Sequence, residues 1–308
     1  MAPTLLRRRD SILPTTAAAL SLPSRAQPLT GTASRTTAPP EPHPVVGEIL
    51  GGLGTAQRER CLGRCPEPAL LSRWLTECGA GDLDEARRVL DGAGITSRHI
   101  REEGDPRHGA HAPHCRSCAV LLARLGVPSL APAVPVLAAG GEPGGDPHGG
   151  PAAGAPWSVG TVDQALAAAG WRPGREHTVC AERWADALTG HQSAHPHVLF
   201  PAAFETWAEL GEITLRPTGP GVAIAPSPVL VNPLAGLHWA RVLGSLGDAL
   251  GTQLAPLGEE LGGAGLVAVD REARLYVLDH AGDWFLGQDV ITGLAALLTG
   301  TAPHRLEA

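Results

Sequence analysis

The chain has 308 residues, a formal net charge of −7 and no Lys at all, which is length enough for two domains. The missing Lys excludes Schiff-base chemistry and a phosphate-binding loop closed by G-K-[ST]. No apolar run reaches the roughly eighteen residues of a membrane span, and the Gly, Pro, Ala and Arg bias is unevenly laid out. Residues 1–130 hold sixteen Arg against thirteen acids, whereas residues 157–308 hold eight Arg against sixteen. A mildly cationic half thus precedes an acidic one, a pairing that suits an acidic partner over a cationic cleft.

Residues 1–59 read as an N-terminal extension, partly disordered. Leu5 and Leu6 followed by Arg7–Arg9 have some look of a secretion signal, but the apolar part is broken by Pro14, Thr15 and Thr16. Within the extension, residues 17–22 suggest a short strand and residues 45–53 a short helix. Gly51-Gly52-Leu53-Gly54 lacks the dinucleotide-binding spacing and reads as a turn.

Residues 60–130 read as the first domain. Pro is tolerated only in the first turn of a helix, so Pro66 and Pro68 fix a helix start, and Cys65 falls at its N-cap. A thiol there meets the positive end of the helix dipole, which favours the thiolate. Asp82-Leu83-Asp84-Glu85 opens a second helix that Gly92 and Gly94 end, and residues 95–100 alternate as a strand. Pro113 precedes a third helix, on which Cys115 and Cys118 share a face, with Gly126 as its stop.

Cys65-Pro66-Glu67 and Cys115-Arg116-Ser117-Cys118 together read C-x-E … C-x-x-C, the pattern of a zinc-dependent deaminase. Three thiolates on zinc leave a fourth position open for water, and Glu67 moves the protons. A disulfide, a redox pair, a structural zinc site and mere packing remain alternatives on the spacing alone. His108, His111 and His114 read as exposed loop histidines, with metal ligation as the lesser reading. Cys61 and Cys78 fit neither motif and read as packing residues. With the motif cysteines assigned to metal, a reducing, cytoplasmic setting fits best.

Residues 131–156 are a Gly/Pro-rich linker. Residues 157–303 read as an α+β domain. Thr161-Val162-Asp163-Gln164 opens a helix through Ala169, and residues 198–210, 239–250 and 291–298 form further helices. Residues 213–215, 222–224 and 229–231 read as strands, and residues 266–270 and 275–278 as a hairpin. His191, His195 and His197 cluster in a loop without a ligand pair. Trp171, beside Arg172 and Arg175, is a candidate contact surface.

Two resemblances follow. Gly63 through Arg73, Ile100 through Pro106 and Cys115 through Ala119 resemble the YwqJ-like deaminases of bacterial toxin systems. The resemblance implies an α/β cytidine-deaminase-like three-layer sandwich, with Cys65, Cys115 and Cys118 as Zn2+ ligands and Glu67 as general acid/base. It departs at His114, where the family pattern has Pro before the first Cys. Ala169 through Arg175, Phe204 through Ile213, Gly219-Pro220-Gly221 and Val269 through Tyr276 resemble the SUKH-3 immunity domains. That implies an α+β SUKH-like fold that binds and neutralises a toxin, either a separate protein or the chain's own first domain.

The expectation is therefore a zinc-dependent deaminase, a hydrolase acting on a nucleobase free or in nucleic acid, fused to a toxin-neutralising domain. The alternative is a non-catalytic immunity protein whose first domain is degenerate or holds structural zinc only. Trp74 is the only aromatic residue in residues 60–130, which argues against a base-stacking platform for nucleic acid.

Overall fold

In the computed structural model, residues 2–7, 9, 12–130, 162–217, 219–261 and 265–307 are described. The linker expected over residues 131–156, and Thr161 of the expected capping box, lie outside them.

The first half runs β1 (Thr15–Ser21), β2 (Leu29–Thr32), α1 (Pro44–Gly51), α2 (Pro66–Cys78), α3 (Leu83–Val89), β3 (Gly94–Ile100) and α4 (Arg116–Leu125). The strands form an antiparallel sheet in the order β2-β1-β3. Alternation puts Ala18 and Leu20 on one face, opposite Ser97 and Ile95. That face meets Leu70, Leu71 and Leu75 of α2 in a core shared with Leu121, Leu122 and Leu125 of α4. Gly79 and Gly126 take φ of 67° and 73° and close α2 and α4 in the left-handed conformation, which a Cβ resists. Ala17, Ala19, Thr96 and Arg98 on the other face are half-buried or exposed. Among the described residues this half is therefore a helix layer on a three-stranded sheet, where a three-layer sandwich was expected.

Residues 1–59 were expected as a partly disordered extension with a short strand over 17–22 and a short helix over 45–53; β1 and α1 are that strand and helix, and the difference is that they belong to the first half's sheet and core. Two of the three strands come from there, and Val45, Val46 and Leu50 of α1 are buried in the same core. β1 reads Thr-Thr-Ala-Ala-Ala-Leu-Ser, so a strand was legible there but its central place in a sheet was not. Ala has little intrinsic preference for a strand, and cross-strand pairing decides its state.

The second half runs α5 (Val162–Ala168), α6 (Thr178–Gly190), α7 (Pro201–Leu210), β4 (Ile213–Leu215), β5 (Val229–Val231), α8 (Ala240–Leu250), β6 (Leu254–Glu260), β7 (Gly265–Asp270), β8 (Leu275–Asp279), β9 (Asp283–Gly287), α9 (Val290–Thr299) and β10 (His304–Arg305). Seven antiparallel strands follow one another in the order β10-β9-β8-β7-β6-β5-β4. Val267, Val269, Leu275 and Val277 face a core with α5, α6, α7 and α9, while Leu266, Ala268, Tyr276 and Leu278 face α8. Residues 222–224, expected as a strand, instead cap the end of α9. Their backbone N–H groups donate to the carbonyls of Thr299 and Gly300 at 2.9–3.0 Å.

Candidate metal centre

Pro66 starts α2 with Cys65 as N-cap (φ −66°, ψ 157°), and Cys115 is the N-cap of α4 in nearly the same conformation (φ −64°, ψ 160°). Two helix N-termini thus meet sulfur to sulfur. Cys65 Sγ and Cys115 Sγ are 3.6 Å apart, and Cys118 donates its backbone N–H to Cys115 Sγ at 3.5 Å. The ligand atoms of Cys65, Cys115 and Cys118 all lie within 4.8 Å of one another. Tetrahedral zinc with bonds of about 2.3 Å spaces neighbouring sulfurs by about 3.8 Å, so the group fits the metal. Its electrostatics fit too. Hydrogen bonds from the Cys118, Cys61 and Cys65 thiols hold the Cys115 thiol well below its ordinary value, and bonding to Cys115 pushes those three up. Three of the four sulfurs are buried and Cys115 is half-buried, a set that a divalent cation would convert to thiolates.

Glu67, in the first turn of α2, is 3 % exposed. Ser97 Oγ on β3 donates to its Oε1 at 2.6 Å, and His114 Nδ1 lies 2.8 Å from the same oxygen. His114 Nε2 in turn meets Ser129 Oγ at 3.0 Å. Burial alone raises the Glu67 carboxyl, but the hydrogen bonds from His114 and Ser97 outweigh it and leave the group below its usual range. His114, where the family pattern has Pro, is therefore neither an exposed loop histidine nor a metal ligand; it orients the carboxylate. His108 is exposed, and His111 stands edge-on to His114 with centroids 6.5 Å apart. None of the three belongs to a metal-type group among the described residues.

Two members of the site were missed in the sequence. Cys61, read as a packing residue, has its Sγ 3.7 Å from Cys65 Sγ. His280, in the turn between β8 and β9, brings Nε2 to 3.2 Å from Cys65 Sγ. Cys61, Cys65 and His280 form a second metal-type group that shares Cys65 with the first. Sequence gave no signal for His280, since it lies over two hundred residues away and in no motif. Cys61 sits four residues before Cys65, a spacing that points to proximity only once the turn between them is known. Cys78 is exposed at the end of α2, far from a packing role.

Cys61, Cys65, Cys115 and Glu67 line a cavity of about 310 Å³ whose far wall, including Ser227, Glu260 and His280, comes from the second half. The charge asymmetry of the sequence is realised at this seam. Arg60 is held by Glu260, with Nη1–Oε1 at 2.6 Å, and by Asp279, with Nε–Oδ2 at 2.7 Å, all three side chains at most 6 % exposed. Further out, Arg107 meets Glu259 at 2.7 Å, and one pair runs the other way, Arg241 of the second half to Glu102 of the first at 3.1 Å. Ala225 N–H donates to the Arg58 carbonyl at 2.7 Å. Elsewhere, His197 Nε2 bonds the Leu237 carbonyl at 3.0 Å and His191 stacks edge-on with His238, so these two loop histidines of the second half serve packing, while His195 is exposed. Trp171 packs against the core of that half.

Two family models match the chain: YwqJ-like deaminase over residues 6–127 and SUKH-3 immunity protein over residues 159–300. The first match begins ahead of β1 and so takes in the whole three-stranded sheet. No curated protein and no solved structure matches the chain.

Proposed function

We propose that this chain, a YwqJ-like deaminase domain followed by a SUKH-3 domain, is a zinc-dependent deaminase of bacterial toxin-system type, carried with the immunity-type domain that covers its site. The observation behind this reading is the buried Glu67 carboxylate beside three grouped sulfurs at two helix N-termini, with Glu67, Cys65 and Cys115 opening on one cavity. Cys65, Cys115 and Cys118 hold zinc, which when bound supplies a Lewis acid that makes a water acidic near neutral pH. Glu67 takes a proton from the attacking water and returns it to the leaving amine of an amidine carbon. Ser97 and His114 keep its Oε1 fixed and ionised, ready to accept. Arg60 and Arg116 stand on the cavity wall but are engaged by Glu260, Asp279 and Glu59. A cavity of about 310 Å³ suits a nucleobase or nucleoside, and its wall carries the His99 ring but no Trp, Tyr or Phe. No helix among the described residues is long and apolar enough to cross a membrane. The six free cysteines and the thiolate-type metal site suit a reducing cytoplasm.

A second reading keeps the fold and drops the activity: an immunity protein whose deaminase-like half holds zinc for structure. The crowding of Cys61 and His280 against Cys65 favours it, because a fully ligated zinc is a structural one. The two readings part at Glu67. Zinc content and ammonia release are measured on the full chain, with free nucleobases, nucleosides and single-stranded nucleic acid as substrates. The enzyme reading expects about one zinc per chain, lost in Cys65→Ser and kept in Glu67→Gln. It also expects turnover to fall by about 10²–10⁴-fold in Glu67→Gln. Zinc present with no turnover on any substrate, in the chain or in its His280→Ala variant, selects the second reading. A folded, reduced chain without zinc sinks both.

A further inference from the structure

We infer that Cys61, Cys65 and His280 form a second metal position, built from both halves of the chain, in which Cys65 is a thiolate common to two ions. The inference rests on the zinc reading above for the first ion and adds beside it a second thiophilic divalent ion. The three ligand atoms lie within 4.8 Å of one another. Cys61 Sγ is 3.7 Å and His280 Nε2 is 3.2 Å from Cys65 Sγ. Tetrahedral zinc spaces two sulfurs by about 3.8 Å, and a sulfur and an imidazole nitrogen by about 3.5 Å. A shift of a few tenths of an ångström in one ring therefore admits the ion. His280 groups with Cys61 and Cys65 and with neither Cys115 nor Cys118, which sets this position apart from the first.

Both donors that flank Cys65 are held in place. Arg64 N–H donates to the Cys61 carbonyl at 2.9 Å and closes a turn whose third residue, Gly63, takes φ of 74°, a conformation that a Cβ resists. That turn folds Cys61 back onto Cys65. From the other half, Asp279 Oδ1 accepts the backbone N–H groups of Ala281 and Gly282 at 2.8 and 2.9 Å, which fixes the turn carrying His280. Asp279 Oδ2 accepts from Arg60 Nε at 2.7 Å and so ties that turn to the residue just ahead of Cys61. Cys61, Cys65 and His280 all line the cavity, which gives an ion its way in.

The rival is a thiol–imidazole hydrogen bond between Cys65 and His280 with no metal. Charge favours the ion once the first is in place. Three thiolates on one dication leave a net charge of −1. A second dication, with Cys61 as one more thiolate and a neutral imidazole, adds +1 and brings the pair to zero. The surroundings already hold the buried carboxylates of Glu67, Glu260 and Asp279, with Arg60 as the cation among them. An uncompensated negative charge there carries the full cost of burial. The first position has three thiolates and the second brings only one of its own, so the first fills before the second, and the second takes added metal. The consequence is a clasp: the second ion ties the β8–β9 turn to the start of α2 and holds the second half over the cavity.

Cobalt titration of the full, reduced chain, first stripped of metal, tests this by visible absorption, by metal content after gel filtration and by electron paramagnetic resonance. About two cobalt ions are expected per chain, both with thiolate-to-metal absorption. The resonance signal is expected to grow over the first equivalent and fall over the second, because two ions on one thiolate couple magnetically. In His280→Ala only the first equivalent remains and its signal persists. Cys61→Ser, in the other half, gives the same result by an independent route. Saturation at one equivalent overturns the inference; the zinc reading stands if that equivalent survives in His280→Ala and falls if it does not. A second equivalent that stays uncoupled, or that persists in both variants, is an ion on surface groups and overturns the inference alone. Absence of thiolate-bound cobalt overturns the inference and the zinc reading together.

Discussion

His99 and His114 show how two histidines on one site are put to opposite uses by their neighbours. His114 Nδ1 donates to the buried Glu67 carboxylate at 2.8 Å and orients it. His99, half-buried on β3, lies 2.9 Å from Arg101 Nη2, and burial followed by the Arg101 and Arg107 charges lowers its value from 6.5 to about 4. The folded state thus keeps His99 neutral where the unfolded chain protonates it. Between pH about 6.5 and about 4 the unfolded state binds more protons, so stability is full above that window and is lost as pH falls through it. Allowing for solvent screening at a half-exposed ring, the loss is roughly 1–2 kcal/mol. His99→Gln is expected to flatten that part of the pH–stability curve, followed by urea unfolding at several pH values; an unchanged slope refutes the assignment. Residue roles such as these were only partly legible in the chain. The placing of Cys65, Glu67 and Cys115 at helix starts was, because Pro66 and Pro113 mark those starts; their roles belong to the proposal above. His114 was not, since its role depends on Ser97 and Glu67 arriving from two other elements.

At the scale of elements, the parts readable in sequence are those whose ends carry their own chemistry. α2, α3 and α4 each have Pro, Asp or Cys at the start and a stop signal at the end, and β7 and β8 are unbroken apolar runs. β6 was missed because Pro256 and Gly258 break its pattern; the strand tolerates them through a register shift between those two residues. α6 was missed although Ala181, Trp184 and Leu188 form its buried stripe, because no capping residue announces it. The β8–β9 turn is where one element controls another. Arg60 lies with both Glu260 and Asp279 in a buried cluster, and removing one partner of such a cluster leaves charges without compensation. Hydrogen bonds and the Arg60 charge keep the Asp279 carboxyl below its usual range against burial, which alone raises it. Arg60→Met is expected to destabilise the chain by about 3–5 kcal/mol in chemical denaturation. It is also expected to free the turn that presents His280. A loss below about 1 kcal/mol would show that both acids escape to water.

For the molecule as a whole, the seam between the halves is polar, acidic from one side and Arg-rich from the other, yet it includes buried parts. Arg60, Glu260 and Asp279 are shut away from solvent, Arg35 reaches Asp283 at 2.8 Å, and the N-terminal segment donates Leu6 N–H to the Ala249 carbonyl at 2.7 Å. Cys61, Cys65 and Cys118 share a continuous core with residues of the second half. Two domains joined only by exposed ion pairs melt separately and come apart in salt. Two domains joined through a buried cluster and a shared core melt together. The chain supplies its own probes for this distinction. Six of its seven Trp lie in residues 157–308 and Trp74 alone in the first half, so Trp fluorescence follows the SUKH-3 half. If the cysteines hold a metal as proposed, cobalt bound there absorbs visible light and follows that site. The two signals are expected to fall with one midpoint in urea, at low salt and at 1 M salt alike, since buried pairs are weakly screened. In Arg60→Met the midpoints are expected to separate, with the visible absorption changing shape before the fluorescence moves. Separate midpoints in the unsubstituted chain would mean that the acidic half only rests on the cationic one.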